Sequence, residues 1–67
     1  MRLIVNGKPR DVDGTTTLLD FLLSFNLNPA LVAVELNAEI IRRDGFADIV
    51  LRDGDRLEII HMVGGGS

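Results

Sequence analysis

The sequence predicts an α+β domain in which one helix packs across one face of a mixed sheet of four or five strands. An Asn6-Gly7 hairpin signal follows the first apolar run, one amphipathic segment follows a capping threonine, and further short apolar segments come after it. With 67 residues and 46% hydrophobic content, the chain is expected to be one globular domain. A core this small leaves little room for an internal cavity, which argues against catalysis.

The first hairpin is indicated by its turn and by the residues on each side of it. Leu3, Ile4 and Val5 form a short run of strand-forming residues, and Asn-Gly is a strong signal for a two-residue turn. Residues 8–12 then form the returning strand. Pro9 lies within it and cannot donate a ladder hydrogen bond, which predicts an edge position.

A single helix of about two turns is expected next, since apolar residues recur from Leu18 to Phe25 with helical spacing. Thr16 or Thr17 is the expected N-cap. Thr17 with Asp20 resembles a capping box in which aspartate replaces the usual glutamate. Asn26, Asn28 and Pro29 are expected to end the helix.

The remaining chain predicts three more strands. Residues 32–36 alternate in polarity, residues 39–41 follow an Asn37-Ala38 turn, and residues 56–62 follow an Asp53-Gly54-Asp55 turn. Residues 42–48 are expected to be irregular, with Phe46 and Ile49 reaching the core. A strand that follows the helix and returns beside the first strand completes a right-handed crossover. This order is the ubiquitin-like β-grasp layout, predicted for residues 1–63.

The alternation of the last strand predicts which side chains face solvent. Arg56 and Glu58 are charged, so their side of the sheet is expected to be the outer face. Apolar residues on that face of three strands are predicted to form a partner-docking surface, here called the outer patch: Ile4, Ala33, Ile60 and Met62. Scattered surface aliphatic residues are the alternative interpretation.

Several function classes are disfavoured by composition. The chain has no cysteine, which excludes disulfides and cysteine-based metal or redox sites, and fits a cytoplasmic location. The net charge is −3, with a single lysine and no tryptophan or tyrosine, so nucleic-acid binding is not expected. No apolar run approaches the length of a membrane span. His61 is expected to be structural rather than catalytic, and Asp53 with Asp55 to be turn residues rather than metal ligands.

The segment Gly64-Gly65-Gly66 follows directly on the last strand. Without a Cβ, such a segment is thin and unhindered, and can carry a terminal carboxylate through a narrow channel into another protein's active site. A disordered end or a linker is the alternative. Composition alone favours that alternative, so the residues by themselves predict only a flexible Gly-rich tail for residues 64–67.

The whole chain resembles the ThiS family of thiazole-biosynthesis sulfur carriers. The resemblance rests on residues 3–7, on residues 34–41, on the Asp53-Gly54-Asp55 turn and on the end from Glu58 to Gly66. It implies that Gly66 is the acyl carrier, that Gly65 is its required neighbour and that Gly64 gives extra clearance.

The resemblance also implies a reaction and its partners. An E1-like adenylating enzyme of the ThiF type adenylates the terminal glycine carboxylate with ATP, and the adenylate is converted to a thiocarboxylate. The thiocarboxylate then gives its sulfur to a thiazole synthase of the ThiG type, for the thiazole of thiamine. The carrier itself needs no bound cofactor, metal ion or catalytic residue.

The sequence departs from the family pattern at its end, because Ser67 follows Gly66. Trimming of Ser67, an added residue and an inactive carrier are the three interpretations. Two other functions stay open. One is a carrier for another sulfur acceptor, in molybdopterin, cysteine or tRNA thiolation chemistry, and the other is a β-grasp interaction module that is not a carrier.

Overall fold

Five strands form one mixed sheet in the order β2-β1-β5-β3-β4. The computed structural model describes residues 1–62. The strands are β1 (Arg2–Val5), β2 (Lys8–Asp11), β3 (Val32–Leu36), β4 (Glu39–Ile41) and β5 (Arg56–His61). The helix α1 (Leu18–Ser24) and two 3₁₀ helices, Pro29–Leu31 and Arg43–Asp48, complete the domain. This architecture confirms the predicted β-grasp class, and within residues 1–62 no helix is long and apolar enough to cross a membrane.

Both predicted hairpin turns are formed by residues with positive φ. Asn6 and Gly7 have φ of 52° and 81°, and Asn37 and Ala38 have φ of 52° and 71°. Positive φ at both central residues is typical of the type I′ turn, whose backbone twist matches the twist of the two strands that it joins. Pro9 is on β2 and pairs with Ile4 of β1. Because β2 is an edge strand of the sheet, the predicted edge position of Pro9 is confirmed.

The last strand, β5, lies at the centre of the sheet. It runs parallel to β1, with Ile4 beside Arg56 and Val5 beside Leu57, and antiparallel to β3 from Val32–His61 to Leu36–Leu57. Each of the two hairpins therefore touches the other only through β5. This strand is the one that returns beside β1 after the helix.

Two asparagine side chains extend the pairing of β5 beyond the strands. The Asn6 amide nitrogen donates to the Ile59 carbonyl at 3.2 Å, and its Oδ1 accepts from the Ile59 N–H at 2.7 Å. On the other side, Asn37 Oδ1 accepts from the Arg56 N–H at 3.0 Å, and the Asn37 N–H donates to the Arg56 carbonyl at 2.8 Å. The same residues that make the turns thus hold β5 at its first residue and at Ile59.

The N-cap of α1 is Thr17, which was one of the two residues predicted for this position. Its Oγ1 accepts from the Asp20 N–H at 3.1 Å. Backbone hydrogen bonds also join the start of the helix to the segment before β5, from Leu18 N–H to Ile49 O at 2.8 Å and from Leu51 N–H to Thr16 O at 2.9 Å. The position of the helix on the sheet is therefore fixed at its first turn.

The core lies between α1 and the inner face of the sheet. Its nine buried residues are Leu3, Leu18, Phe21, Leu22, Val32, Val34, Phe46, Leu51 and Leu57. The predicted inward parity of the strands is confirmed, and so is the core position of Phe46. The segment expected to be irregular instead contains the 3₁₀ helix Arg43–Asp48, because Phe46 must turn back under α1 to be buried.

We expect replacement of Thr17 by alanine to lower the free energy of unfolding by about 1 kcal/mol, because the Asp20 N–H loses its capping acceptor. Urea denaturation followed by circular dichroism measures the change. Thr15→Ala is the matched control, since Thr15 is exposed and precedes the cap. Equal stability of the two variants would contradict the capping role.

Candidate functional site

The outer face of the sheet carries part of the predicted patch as a contiguous unit. Ala33 on β3 lies directly opposite Ile60 on β5, so their side chains share this face. Ile60 is 57% exposed and Met62, which follows β5, is 47% exposed. Ala33 itself is half-buried. These three residues lie on the half of the sheet where β5 ends.

Ile4 lies on the same face but at the other end of β5. It is beside Arg56, whereas Ala33 is beside Ile60, so the two contacts are about 13 Å apart along the strand. Glu58 lies between the two contacts on this face. The structure thus separates Ile4 from the rest of the outer patch, because β1 and β5 are parallel and overlap only at the start of β5.

A further apolar residue of the outer face was missed by the sequence interpretation. Ile40 on β4 is 75% exposed and lies opposite Glu35 of β3. Its side chain therefore shares the face of Ala33. Counting parity across the Asn37-Ala38 turn, from Glu35 to Ile40, is the signal that could have found it.

Charge on the outer face is arranged in two distinct ways. Glu35 and Glu58 are directly opposite each other in the ladder, an arrangement of like charges that destabilises a sheet. Further along, Arg2 Nε donates to Asp11 Oδ1 at 2.9 Å. The hydrogen bond from Arg2, together with its positive charge, lowers the pKa of Asp11. A cation placed beside Glu35 and Glu58 would therefore reduce the repulsion between these two carboxylates.

The predicted carrier residues Gly64, Gly65 and Gly66 lie outside the described residues, as do Val63 and Ser67. What the structure gives is the point from which the chain continues. The Met62 N–H donates to the Leu31 carbonyl at 2.7 Å, which holds the residue after β5 against the 3₁₀ helix that precedes β3. The boundary at residue 63 and the tail beyond it stay predictions.

A surface groove of about 460 Å³ lies on the helix side of the sheet, where β1 turns into β2. Its lining consists of Val5, Asn6, Arg10, Phe25, Leu27, Ile59 and His61. His61 is exposed, and the lining includes no carboxylate that could orient its imidazole. The groove therefore has the size of a binding site without a nucleophile–base pair among its lining residues.

The two aspartates of the Asp53-Gly54-Asp55 turn accept hydrogen bonds from the protein itself. Asp53 Oδ1 accepts from the Arg2 N–H, and Asp55 accepts from the Arg52 N–H at 2.8 Å and from the Asn37 amide at 3.0 Å. Among residues 1–62 there is no group of three or more side chains suited to hold a metal ion. These aspartates organise the turn that leads into β5.

Comparison with known proteins agrees with this architecture. The family model described as the ThiS family matches residues 3–66. The chain is 44% identical over 67 residues to a protein from Bacillus subtilis named sulfur carrier protein ThiS, covering 96% of this chain and 98% of that protein. A crystal structure of the thiamine biosynthesis protein ThiS from Geobacter metallireducens has a TM-score of 0.84 at 38% identity, covering 98% of this chain and all of that one.

A second kind of relative is much longer than this chain. A protein from Paramagnetospirillum magneticum named thiazole synthase is 37% identical to it over 67 residues. The alignment covers 100% of this chain and 21% of that relative, so the chain spans about a fifth of the length of this protein. A segment of this kind thus also occurs within a larger polypeptide.

We expect Asp11 to titrate at a higher pH once Arg2 is replaced by methionine, because the hydrogen bond and the charge that lower its pKa are removed. In the wild type the ion pair contributes above the unfolded pKa of Asp11 and is lost as the pH falls through the folded pKa. Carboxyl ¹³C NMR measures the titration midpoint of Asp11 in the wild type and in Arg2→Met. Arg43→Met is the control, and an unchanged Asp11 midpoint in Arg2→Met would contradict the assignment.

Proposed function

This chain belongs to the ThiS family, and from that membership we propose that it is a sulfur carrier of thiamine biosynthesis. The observation that carries the proposal is the full-length similarity to a protein named sulfur carrier protein ThiS, at 44% identity. The family match extends to residue 66, so it includes the glycines to which the family resemblance assigns the sulfur chemistry. A small domain with one exposed sheet face and a central last strand is suited to a carrier that other proteins bind and modify.

In this proposal the carboxylate of Gly66 is the reacting group. A carboxylate is a poor electrophile, so on an E1-like enzyme of the ThiF type its oxygen first attacks the α-phosphorus of ATP, which forms the acyl-adenylate and releases pyrophosphate. A sulfide-level sulfur nucleophile then attacks the acyl carbon and AMP leaves, which gives the thiocarboxylate. The partner enzyme supplies the acid–base groups, which is consistent with a groove lining that holds no nucleophile–base pair. Gly65 and Gly64 provide clearance, because a side chain at either position would widen the segment that enters the enzyme.

A thiazole synthase of the ThiG type is the proposed recipient of the sulfur. The support comes from the thiazole synthase that contains a segment similar to the whole of this chain. Placing carrier and acceptor enzyme in one polypeptide raises the effective concentration of one for the other, which is useful when the two must meet. This favours thiazole formation over the other sulfur acceptors.

The outer face is the proposed docking surface for the adenylating enzyme. Ile60, Ala33 and Met62 present apolar area beside the point where the chain continues, and Ile40 extends it across β4. The opposed carboxylates of Glu35 and Glu58 lie between Ile60 and Arg56 along the sheet. A basic side chain from the partner would relieve their repulsion, so a surface that combines apolar and basic groups fits this face.

We expect the chain ending at Gly66 to gain about 16 Da, the exchange of one oxygen for sulfur, when incubated with ATP, a sulfur donor and a cognate adenylating enzyme. Intact-mass spectrometry measures the shift. The chain ending at Ser67 is the matched control, since its terminal carboxylate belongs to serine. A chain ending at Gly66 that is never charged by a competent enzyme would overturn the carrier function.

Gly65→Ala should reduce the rate of that charging at least about tenfold, because a methyl group next to the reacting glycine hinders its approach to the nucleotide. Gly45→Ala is the control glycine, since a Cβ there meets no atom closer than 3.9 Å. Charging is followed by the same mass measurement over time. A carrier requires a difference between the two variants, whereas an interaction module does not.

Ile60→Glu should weaken binding to the adenylating enzyme about tenfold or more, because it places a charge in the apolar part of the outer patch. Leu23→Glu is the matched control, since Leu23 is 50% exposed but lies on α1, on the other side of the sheet. Isothermal titration calorimetry measures both. Equal affinities would show that docking uses another surface.

A further inference from the structure

The groove on the helix side of the sheet is lined by side chains of the strands and of the end of the helix, and not by loops alone. Val5 and Ile59 lie on its sheet side, and Phe25 and Leu27, from the end of α1 and the loop after it, provide further apolar lining. Phe25 is held edge-on against Phe21, with ring centroids 4.8 Å apart and an angle of 80° between the rings. Because Phe21 is buried, this contact fixes the exposed ring in one orientation.

Two basic side chains of the edge strand β2 lie beside this apolar lining. Arg10 on the edge strand β2 lies with its guanidinium carbon 4.8 Å from the centroid of the Phe25 ring, so the cation is held over the groove. Lys8, on the same face of β2, is exposed beside Val5. Arg10 is among the lining residues, and no carboxylate is. In a chain of net charge −3, this local excess of cations selects for an anionic group.

The neighbouring side chains that could pair with these basic groups bind other partners instead. The Asn6 amide uses both its groups on the backbone of Ile59, and Asp11, the neighbour of Arg10 in the sequence, is paired with Arg2 on the opposite face. Within residues 1–62, the two ion pairs that form are Arg2–Asp11 and Arg42–Asp44, and neither involves Lys8 or Arg10. The guanidinium of Arg10 is therefore available to an outside carboxylate.

We propose that this groove docks a segment of a partner protein in which an apolar side chain alternates with acidic residues. The apolar side chain lies against Val5, Ile59 and Phe25, and a carboxylate of the segment pairs with the guanidinium of Arg10. An open groove lined by side chains of several elements suits a peptide segment. This surface is distinct from the outer patch, because the inner-parity residues Val5 and Ile59 and the outer-parity residue Ile60 point to opposite faces of the sheet.

The location of the groove gives the proposal a functional meaning. His61, which lines it, is the last residue of β5, and the chain continues from there toward the glycines. A partner that occupies the groove therefore contacts the carrier on the helix side, beside the same exit point that the outer patch flanks on the other side. The two surfaces together allow the exit of the chain to be approached from both faces of the sheet.

The test uses the full chain, labelled with ¹⁵N, and a six-residue blocked peptide in which two glutamates alternate with leucine and phenylalanine. We expect the amide signals of Val5, Ile59 and His61 to shift on addition of peptide, with a dissociation constant of about 1 mM or lower. The same peptide with glutamine in place of both glutamates should bind at least about fivefold more weakly, because it lacks the charge that Arg10 recognises.

Substitutions at Arg10 separate the groove from general electrostatic attraction. Arg10→Glu should weaken peptide binding about tenfold, Arg10→Lys should retain most of it, and Arg43→Glu, which changes net charge equally on the 3₁₀ helix, should change it less than about twofold. The spectrum of each variant reports directly on whether the fold is kept. No shifts at about 5 mM peptide, shifts centred on Ala33 and Ile60, or equal binding of the glutamine peptide would each overturn the proposal.

Discussion

The pairing of β5 with both of its neighbours is the constraint on which the rest of the domain depends. The β1–β2 hairpin and the β3–β4 hairpin are each local, but they form one sheet only because β5 lies between them. β5 also contributes Leu57 to the core and Ile60 to the outer face. The core, the exposed patch and the exit of the chain are therefore all positioned by the same six residues.

The asparagines of the two turns show how short strands can hold a central strand in the sheet. β1 overlaps β5 by only two residue pairs, which is little to hold a central strand. Asn6 adds two hydrogen bonds to Ile59 beyond the end of β1, and Asn37 adds its own to Arg56. Asparagine tolerates positive φ and carries both a donor and an acceptor, so one residue type can make the turn and extend the ladder.

Local signals predicted the elements well, whereas the arrangement of distant residues was less accessible. The Asn6-Gly7 turn, the Thr17 cap, the edge position of Pro9 and the inward parity of β3 each follow from residues close in sequence. The distance between Ile4 and Ile60 depends on the parallel register of β1 with β5, which no local pattern encodes. The groove likewise arises where Arg10 and Phe25 meet across elements, and the glycines proposed to carry sulfur lie beyond the described residues.

The central position of the last strand has a consequence for biosynthesis. When a ribosome has released only the first 55 residues, the two hairpins exist without the strand that joins them, and their inner faces have no complete partner layer. Contacts such as that between Asn6 and Ile59, 53 positions apart, can form only after the chain has emerged through β5. The sheet therefore cannot be completed before β5 has left the ribosome, and until then the two hairpins expose apolar surface to chaperones and proteases.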